Sequence, residues 1–234
     1  MTARSGDGGT SGRRSGGRML FERVRTARGR TTSSARWLSR QLNDPFVIEA
    51  KRLGLRSRAA FKLMQLDDRF HFLKPGGRIV DLGAAPGGWT QVAVERVKGG
   101  KVVGIDISPW SPVAGSIHLE HDFLADDAPA LLKEALNGQA DVVLSDMAAP
   151  ATGHPKTDHL RIMGLAEAAL QFATEVLAED GAFICKLFQG GAEKGLLDQL
   201  KKSFSSVRHA KPAASRAESS ETYVVAMGFR KLEE

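Results

Sequence analysis

The sequence predicts an α/β fold: a mainly parallel sheet with helices on both faces and an antiparallel hairpin at one edge. Three observations carry this expectation. From residue 78 onward, short apolar runs alternate with helix-length segments, the pattern of strands joined by crossover helices. The first run breaks into glycines, Asp81-Leu82-Gly83-Ala84-Ala85-Pro86-Gly87-Gly88-Trp89, before the next helix begins. The last two runs, 206–210 and 222–229, are joined by a short link without a helix, which suits an antiparallel pair.

Taken in order, residues 1–33 are rich in Gly, Ser, Thr and Arg, with Met19-Leu20-Phe21 their only apolar cluster. Such a segment buries too little apolar surface to offset chain entropy, so a disordered basic arm is expected there, with the folded domain over 34–234. Ser34 through Gly54 reads as a helix broken at Asp44-Pro45, because the residue before a proline disfavours helix. The next helix starts near Arg56, with Ser57 as N-cap and Phe61, Met64 and Leu66 as its apolar face. Within it, Lys62 reads as a lysine with a buried stem and an outward ammonium. After the Lys74-Pro75-Gly76-Gly77 turn the expected strands are 78–82, 101–106, 116–120, 141–145 and 182–187. Helices are expected over 89–98, 127–137, 158–178 and 191–204, and no internal repeat is evident.

At 234 residues the chain accommodates one sizeable domain plus an extension. Its apolar runs fall well short of the roughly 20 residues that span a bilayer, and the first thirty residues lack a signal-peptide core. Cys185, the single cysteine, excludes a disulfide framework and reads as a buried, inert thiol. A cytoplasmic protein with no membrane association is expected. The net charge of +6 is unevenly distributed: residues 1–62 hold 15 Lys/Arg against 4 Asp/Glu, and residues 63–234 hold 18 against 23. An excess at the front suits contact with a polyanion, and the scarcity of aromatics there points to electrostatic attraction and not base stacking.

The glycine run is the candidate ligand site. A strand that turns through glycines into a helix lets a ligand approach the backbone at the positive end of the helix dipole. Asp106 ends the second strand, where an acidic residue receives ribose hydroxyls. The dinucleotide spacing falls on Gly83, Ala85 and Gly88, an imperfect match, and Pro86 and Trp89 do not suit a pyrophosphate cradle. A further carboxylate, Asp122, follows the third strand. Two carboxylates at successive strand ends suit a nucleoside with a cationic, phosphate-free tail, which describes S-adenosylmethionine. Three more charged residues, Asp146, Lys186 and Glu221, lie at strand ends or the approach to one, where ligands bind in open α/β sheets. His154 and His159 lie in a Pro/Gly-containing loop without a carboxylate cage, so no metal is expected.

In the glycine run, Ser145-Asp146-Met147, Lys186-Leu187-Phe188-Gln189-Gly190 and Arg56-Ser57-Arg58-Ala59-Ala60-Phe61-Lys62-Leu63, the chain resembles the FtsJ-type ribose 2′-O-methyltransferases. The resemblance spans about residues 54–230 and includes Ser215-Arg216 and Glu221-Thr222-Tyr223. It implies a Rossmann-like fold, S-adenosylmethionine as cofactor, and a catalytic tetrad of Lys62, Asp146, Lys186 and Glu221. It further implies Gly87 and Trp89 at the cofactor's methionine end, Asp106 at its ribose, Asp122 at its adenine, and Asp146 between cofactor and acceptor. In that chemistry Lys186 takes the proton or stabilises the alkoxide, Asp146 orients it, and Lys62 and Glu221 hold the ribose. The loop from Ala148 to Lys156 is then a candidate cover for the acceptor nucleotide.

Among family members the chain most resembles the bacterial ones that methylate a uridine ribose in large-subunit ribosomal RNA. That implies ribosomal RNA or the large subunit as partner, no DNA, and a monomer by default. The N-terminal extension departs from compact members. Three alternatives stay open: a tRNA or other RNA substrate, a non-catalytic RNA-binding or ribosome-assembly protein, and a nicotinamide-dependent oxidoreductase. Pro86, Trp89 and Asp122 weigh against the last of these.

Overall fold

The computed structural model describes residues 31–150, 152–188 and 194–231. All but Thr31, Thr32 and Ser33 of the expected arm lies outside the described residues. The chain divides after Asp44 into two units. In the first, helix α1 (Thr32–Leu42) starts two residues earlier than expected, because the side chain of Thr31 caps it by accepting from the Ser34 N–H.

The second unit opens with α2 (Pro45–Arg52), so the break falls at the Asp44-Pro45 step; Pro45 takes the first helical position, where no N–H is needed. Helix α3 (Ala59–Phe70) follows, then β1 (Arg78–Leu82), α4 (Gly88–Val97), β2 (Lys101–Asp106), β3 (Ile117–Glu120), α5 (Ala128–Leu136) and β4 (Ala140–Ser145). The remainder is α6 (Pro155–Val176), β5 (Leu177–Phe188), α7 (Lys194–Ser203), β6 (Phe204–Ala210) and β7 (Glu221–Phe229). Residues 191–193, the expected start of the last helix, are outside the described part.

The strands form one seven-stranded sheet in the order β3-β2-β1-β4-β5-β7-β6. The first five are parallel, and β7 runs antiparallel to both neighbours. Central strands read as continuous apolar runs because both faces are covered. Val80, Leu82, Val103, Ile105 and Val143 join a core with α5 and α6 on one face. Ile79, Val102, Val142, Leu144 and Ile184 join Leu63, Leu66, Trp89 and Val92 of α3 and α4 on the other. Burying each such side chain stabilises the fold by roughly 1.5–3 kcal/mol. Cys185 is buried in this sheet, and burial pushes its thiol up to about 12.

The terminal hairpin forms at the sheet edge, as expected: β6 is the edge strand and β7 lies between it and β5. The burial explains it: Thr222 through Ala226 are buried on both faces, whereas Ser205, Arg208 and His209 of β6 are exposed. Ser57 is not a cap. Helix α3 starts at Ala59 after Arg58, which makes no side-chain cap bond, and Ser57 Oγ is buried without a partner, pressed under Gly88. The buried face of α3 is Ala60, Leu63 and Leu66, with Phe61 and Met64 only partly covered. Among the described residues no helix is long and apolar enough to cross a membrane.

Candidate active site

The carboxyl ends of β1, β2, β4 and β5 meet at one end of the sheet. Asp146 directly follows β4, and its N–H donates to the Leu82 carbonyl at the end of β1 (3.2 Å). Lys186, on β5, pairs across the sheet with Tyr223 of β7, and Phe188 pairs with Glu221. Glu221 and Tyr223, two residues apart on one strand, therefore point the same way. Lys62 reaches them from α3.

These side chains form one connected network. Lys186 Nζ donates to the Asp146 carbonyl at 2.6 Å and lies 3.2 Å from Asp146 Oδ1. The Tyr223 hydroxyl donates to Asp146 Oδ1 at 2.8 Å and accepts from Lys62 Nζ at 3.2 Å. Lys62 Nζ is 2.8 Å from the Glu221 carboxylate, which also accepts from Ser215 Oγ at 2.7 Å. Side-chain exposure is 7% for Lys186, 17% for Asp146, 12% for Lys62 and 14% for Glu221, so the charges are shielded from bulk water.

Two cations and two anions balance, which is the condition for holding four charges in a shielded site. Burial pushes the Asp146 carboxyl up, but the ammoniums of Lys186 and then Lys62, with the Tyr223 hydroxyl, more than offset it and keep it below the usual carboxylate range. Burial and the carboxylates of Asp146 and Glu221 push the Tyr223 hydroxyl well above its ordinary value, so it remains a donor. The network thus has a fixed polarity: Tyr223 gives its proton to Asp146, and both lysines face carboxylates.

Breaking the Lys62–Glu221 pair on one side strands a shielded charge. Lys62→Met is expected to cost about 3 kcal/mol in urea unfolding, whereas Lys62→Met combined with Glu221→Leu recovers most of that loss. Equal losses in the single and double variants would mean that the pair contributes no coupling.

Beside the network lies the glycine loop. Gly83 has φ 79°, and a Cβ there would meet Met147 Cγ at 2.7 Å; Gly87 has φ 102° and caps α4. Both positions require glycine. Asp106 accepts from the Ala85 N–H (2.9 Å) and the Ser108 N–H (2.7 Å), tying the loop to the end of β2. Asp122 accepts from the Leu124 N–H at 2.9 Å. Asp106 and Asp122 line a cleft with Gly83, Ile107, Leu124 and Met147. A larger hollow at the opposite ends of the strands, near Lys74, Asp141 and Glu179, holds none of these groups.

Ile107 and Leu124 are 67% and 58% exposed, large apolar side chains flanking two carboxylates. That donor set fits a nucleoside: apolar walls for a flat base, and carboxylates for its hydroxyl and amino donors. Trp89 enters differently from a side-chain contact. Its indole is buried against Tyr223, with ring centroids 5.6 Å apart, and its Nε1 donates to the Ala59 carbonyl at 2.8 Å. Only its backbone, in the first turn of α4, remains for a ligand. Beneath the loop, Asp81 is fully buried, accepts from Thr90 Oγ1 at 2.6 Å, and has a second oxygen without a partner.

The structure thus brings Lys62, Asp146, Lys186 and Glu221 together, and Asp106 and Asp122 line the cleft beside Met147; Gly87 and Trp89 stand at the start of α4, outside that lining. His154 is exposed at the N-cap of α6 and His159 lies on that helix just past its first turn; among the described residues no cluster of three His, Cys, Asp or Glu could hold a metal ion. Tyr223 and Ser215 join the network although no role for either is apparent from the motifs alone. The signal for Tyr223 was present: the chain's only tyrosine sits in an apolar strand, two residues after Glu221, and a buried hydroxyl needs a partner.

A cleft with two carboxylates and apolar walls at the head of a parallel sheet, next to a shielded Lys-Asp-Lys-Glu network, suits a group-transfer enzyme. The FtsJ-like methyltransferase family matches residues 55–229. The chain belongs to this family, whose methyl donor is S-adenosylmethionine. It is 69% identical over 226 residues to a protein of Paramagnetospirillum magneticum named ribosomal RNA large subunit methyltransferase E, covering 94% of this chain and 93% of that one. A protein of the same name from Rhodospirillum rubrum is 66% identical over 222 residues, covering 93% and 84%. Among solved structures, a Plasmodium falciparum protein described in provisional terms as a ribosomal RNA methyltransferase superposes with a TM-score of 0.66 at 32% identity, covering 74% of this chain and 98% of that one.

Proposed function

We propose that this chain transfers a methyl group to a ribose 2′-hydroxyl, that of a uridine, in large-subunit ribosomal RNA. The observation that carries the reading is Lys186, whose ammonium is held 2.6 Å from the carbonyl and 3.2 Å from the carboxylate of Asp146 beside the nucleoside cleft. S-adenosylmethionine, when bound, supplies a methyl group that is already electrophilic. The chain's task is to align the acceptor hydroxyl and manage one proton. Lys186 takes that proton as the neutral amine, or as the ammonium stabilises the alkoxide as it develops, and Asp146 fixes the lysine's direction. Lys62 and Glu221 hold the ribose, and Tyr223 joins the two halves of the network.

Gly87 and the backbone of Trp89 receive the donor's methionine end, Asp106 its ribose and Asp122 its adenine. The segment after Asp146 covers the acceptor nucleotide. A 2′-hydroxyl exists in RNA and not in DNA, so the chemistry itself selects RNA. The relatives' names support ribosomal RNA as that substrate, and the protein acts as a cytoplasmic monomer on the large subunit or its RNA.

The test is labelled methyl transfer to large subunits, protein-free ribosomal RNA and tRNA, all from cells lacking the protein. Transfer to one ribose of large-subunit RNA is the expected result. Transfer to tRNA alone would move the substrate to another RNA class, and donor binding without any transfer would favour an assembly role.

Residues 1–33 serve as an electrostatic arm. Residues 1–30 alone hold eight arginines against two acidic residues. Removing residues 1–33 is expected to weaken RNA binding and to flatten the dependence of log affinity on log salt. An unchanged salt slope would exclude the arm from the interface.

A further inference from the structure

The segment before α3 is fastened to the glycine loop at several points. Gln91 of α4 accepts from the Arg56 N–H at 3.1 Å and donates to the Gly54 carbonyl at 3.1 Å. Trp89 adds its bond to Ala59. Between these, the Arg56 guanidinium donates to three carbonyl oxygens on two loops. Nη1 reaches Pro86 at 3.3 Å, inside the glycine loop, and also Ser111; Nη2 reaches Pro112 at 2.6 Å. Ser111 and Pro112 belong to the segment after β2, whose Trp110 and Val113 pack with Ala84.

The contact is tight. A Cβ at Gly87 would lie 2.9 Å from Arg56 Nη1 and 3.0 Å from Val113 Cγ2, so the helix cap is held between these two side chains. Arg56 sits in the basic front of the chain, where phosphate contact is the natural reading of an arginine. Its geometry says otherwise, since most of its terminal donors already face backbone carbonyls. A planar, five-donor fork suits a bridge between two loops, whereas a lysine offers only a point charge.

We propose that Arg56 is a positioning residue of the methyl-donor site: it locks the Pro86–Gly87 turn against residues 111–113 and thereby fixes the backbone at the start of α4. It acts through that backbone. The proposal rests on the glycine loop being the donor site.

The experiment compares the full chain with Arg56→Ala and Arg56→Lys in four measurements. These are calorimetric binding of S-adenosylmethionine, RNA affinity against salt, melting without ligand, and the donor KM and kcat. Donor Kd and KM are expected to rise roughly 10- to 100-fold in Arg56→Ala, the scale of one to two lost charge-assisted bonds. Arg56→Lys should recover only part of that loss. The fall in kcat at saturating donor should stay under about threefold, and the RNA salt slope should not move. A donor Kd within about twofold of the parent, with weakened RNA binding and a shallower slope, would make Arg56 a phosphate contact and overturn the proposal. If Arg56→Ala melts too low to titrate, Arg56→Lys decides: parental donor affinity in that variant overturns the clamp. Failure of the parent itself to bind S-adenosylmethionine would instead overturn the donor site, and the clamp with it.

Discussion

Lys186→Ala is expected to lower methyl transfer by about 10²–10⁴-fold while leaving donor binding nearly intact. The lysine cannot be replaced from elsewhere. Its position is set by the pairing of β5 with β7, its side chain is only 7% exposed, and its ammonium lies against both the carbonyl and the carboxylate of Asp146. Removing it also takes away the nearest cation that keeps Asp146 ionised. Lys186→Arg separates the two ways in which the lysine could act. A guanidinium keeps the charge but does not deprotonate in a protein, so an arginine supports alkoxide stabilisation and not proton uptake. Arg at the level of Ala assigns proton transfer; substantial recovery assigns electrostatics. Near-parental turnover in Lys186→Ala, with donor bound, would remove Lys186 from the chemistry altogether.

The second large effect concerns stability and Asp81. Burial, followed by the charges of Asp146 and Asp106, pushes this carboxyl up to about 7 from 3.8, against the opposing bond from Thr90. Between these values the folded state holds a proton that the unfolded state has lost. Stability therefore falls as pH rises from about 4 to about 7 and is flat above. The full span is about 4 kcal/mol. Asp81→Asn removes the titration, so the variant is expected to be more stable than the parent by about 2–4 kcal/mol at pH 8 and nearly equal at pH 4. Urea unfolding of the ligand-free protein at both pH values reads this directly. Asp146 works in the other direction: its depressed folded value gives stability that is present above pH 4 and lost only below it. The two windows barely overlap. A stability difference that is constant across pH would show that Asp81 stays charged in the folded protein.

Much of the fold was legible because local signals and periodicity report on one element at a time. The apolar runs from Ile79 to Val143 mark strands buried on both faces, and the glycines after Asp81 mark the loop where a helix must begin at once. Pairing order is different information. Whether β7 lies inside or outside β6 depends on which strand has two covered faces, and both runs are short and apolar enough to read alike. Ser57 misled for a related reason. A serine before a helical run is a good cap by composition, yet here the close approach of Gly88 claims its position. Tyr223 and Arg56 act through contacts with Asp146, Pro86 and Pro112, 77, 30 and 56 residues away. No local pattern encodes such contacts, whereas the charged residues at strand ends stand out individually.

The placement of β7 has a bearing on how the molecule comes into being. The glycine loop, Asp106, Asp122 and Asp146 all precede residue 148, but Glu221 and Tyr223 arrive on the final strand, which must slot between two strands already synthesised. Their contacts with Lys62, 159 and 161 residues away, close only after nearly the whole chain has been made. During translation, then, the residues proposed to hold the donor are made well before the network around Lys62 is complete. A chain cut short anywhere before β7 would leave Lys62 and Asp146 without their Tyr223 link and the long strand β5 with an open edge. On the proposed roles of Glu221 and Tyr223, methyl transfer is expected only from molecules whose synthesis has run past the last strand.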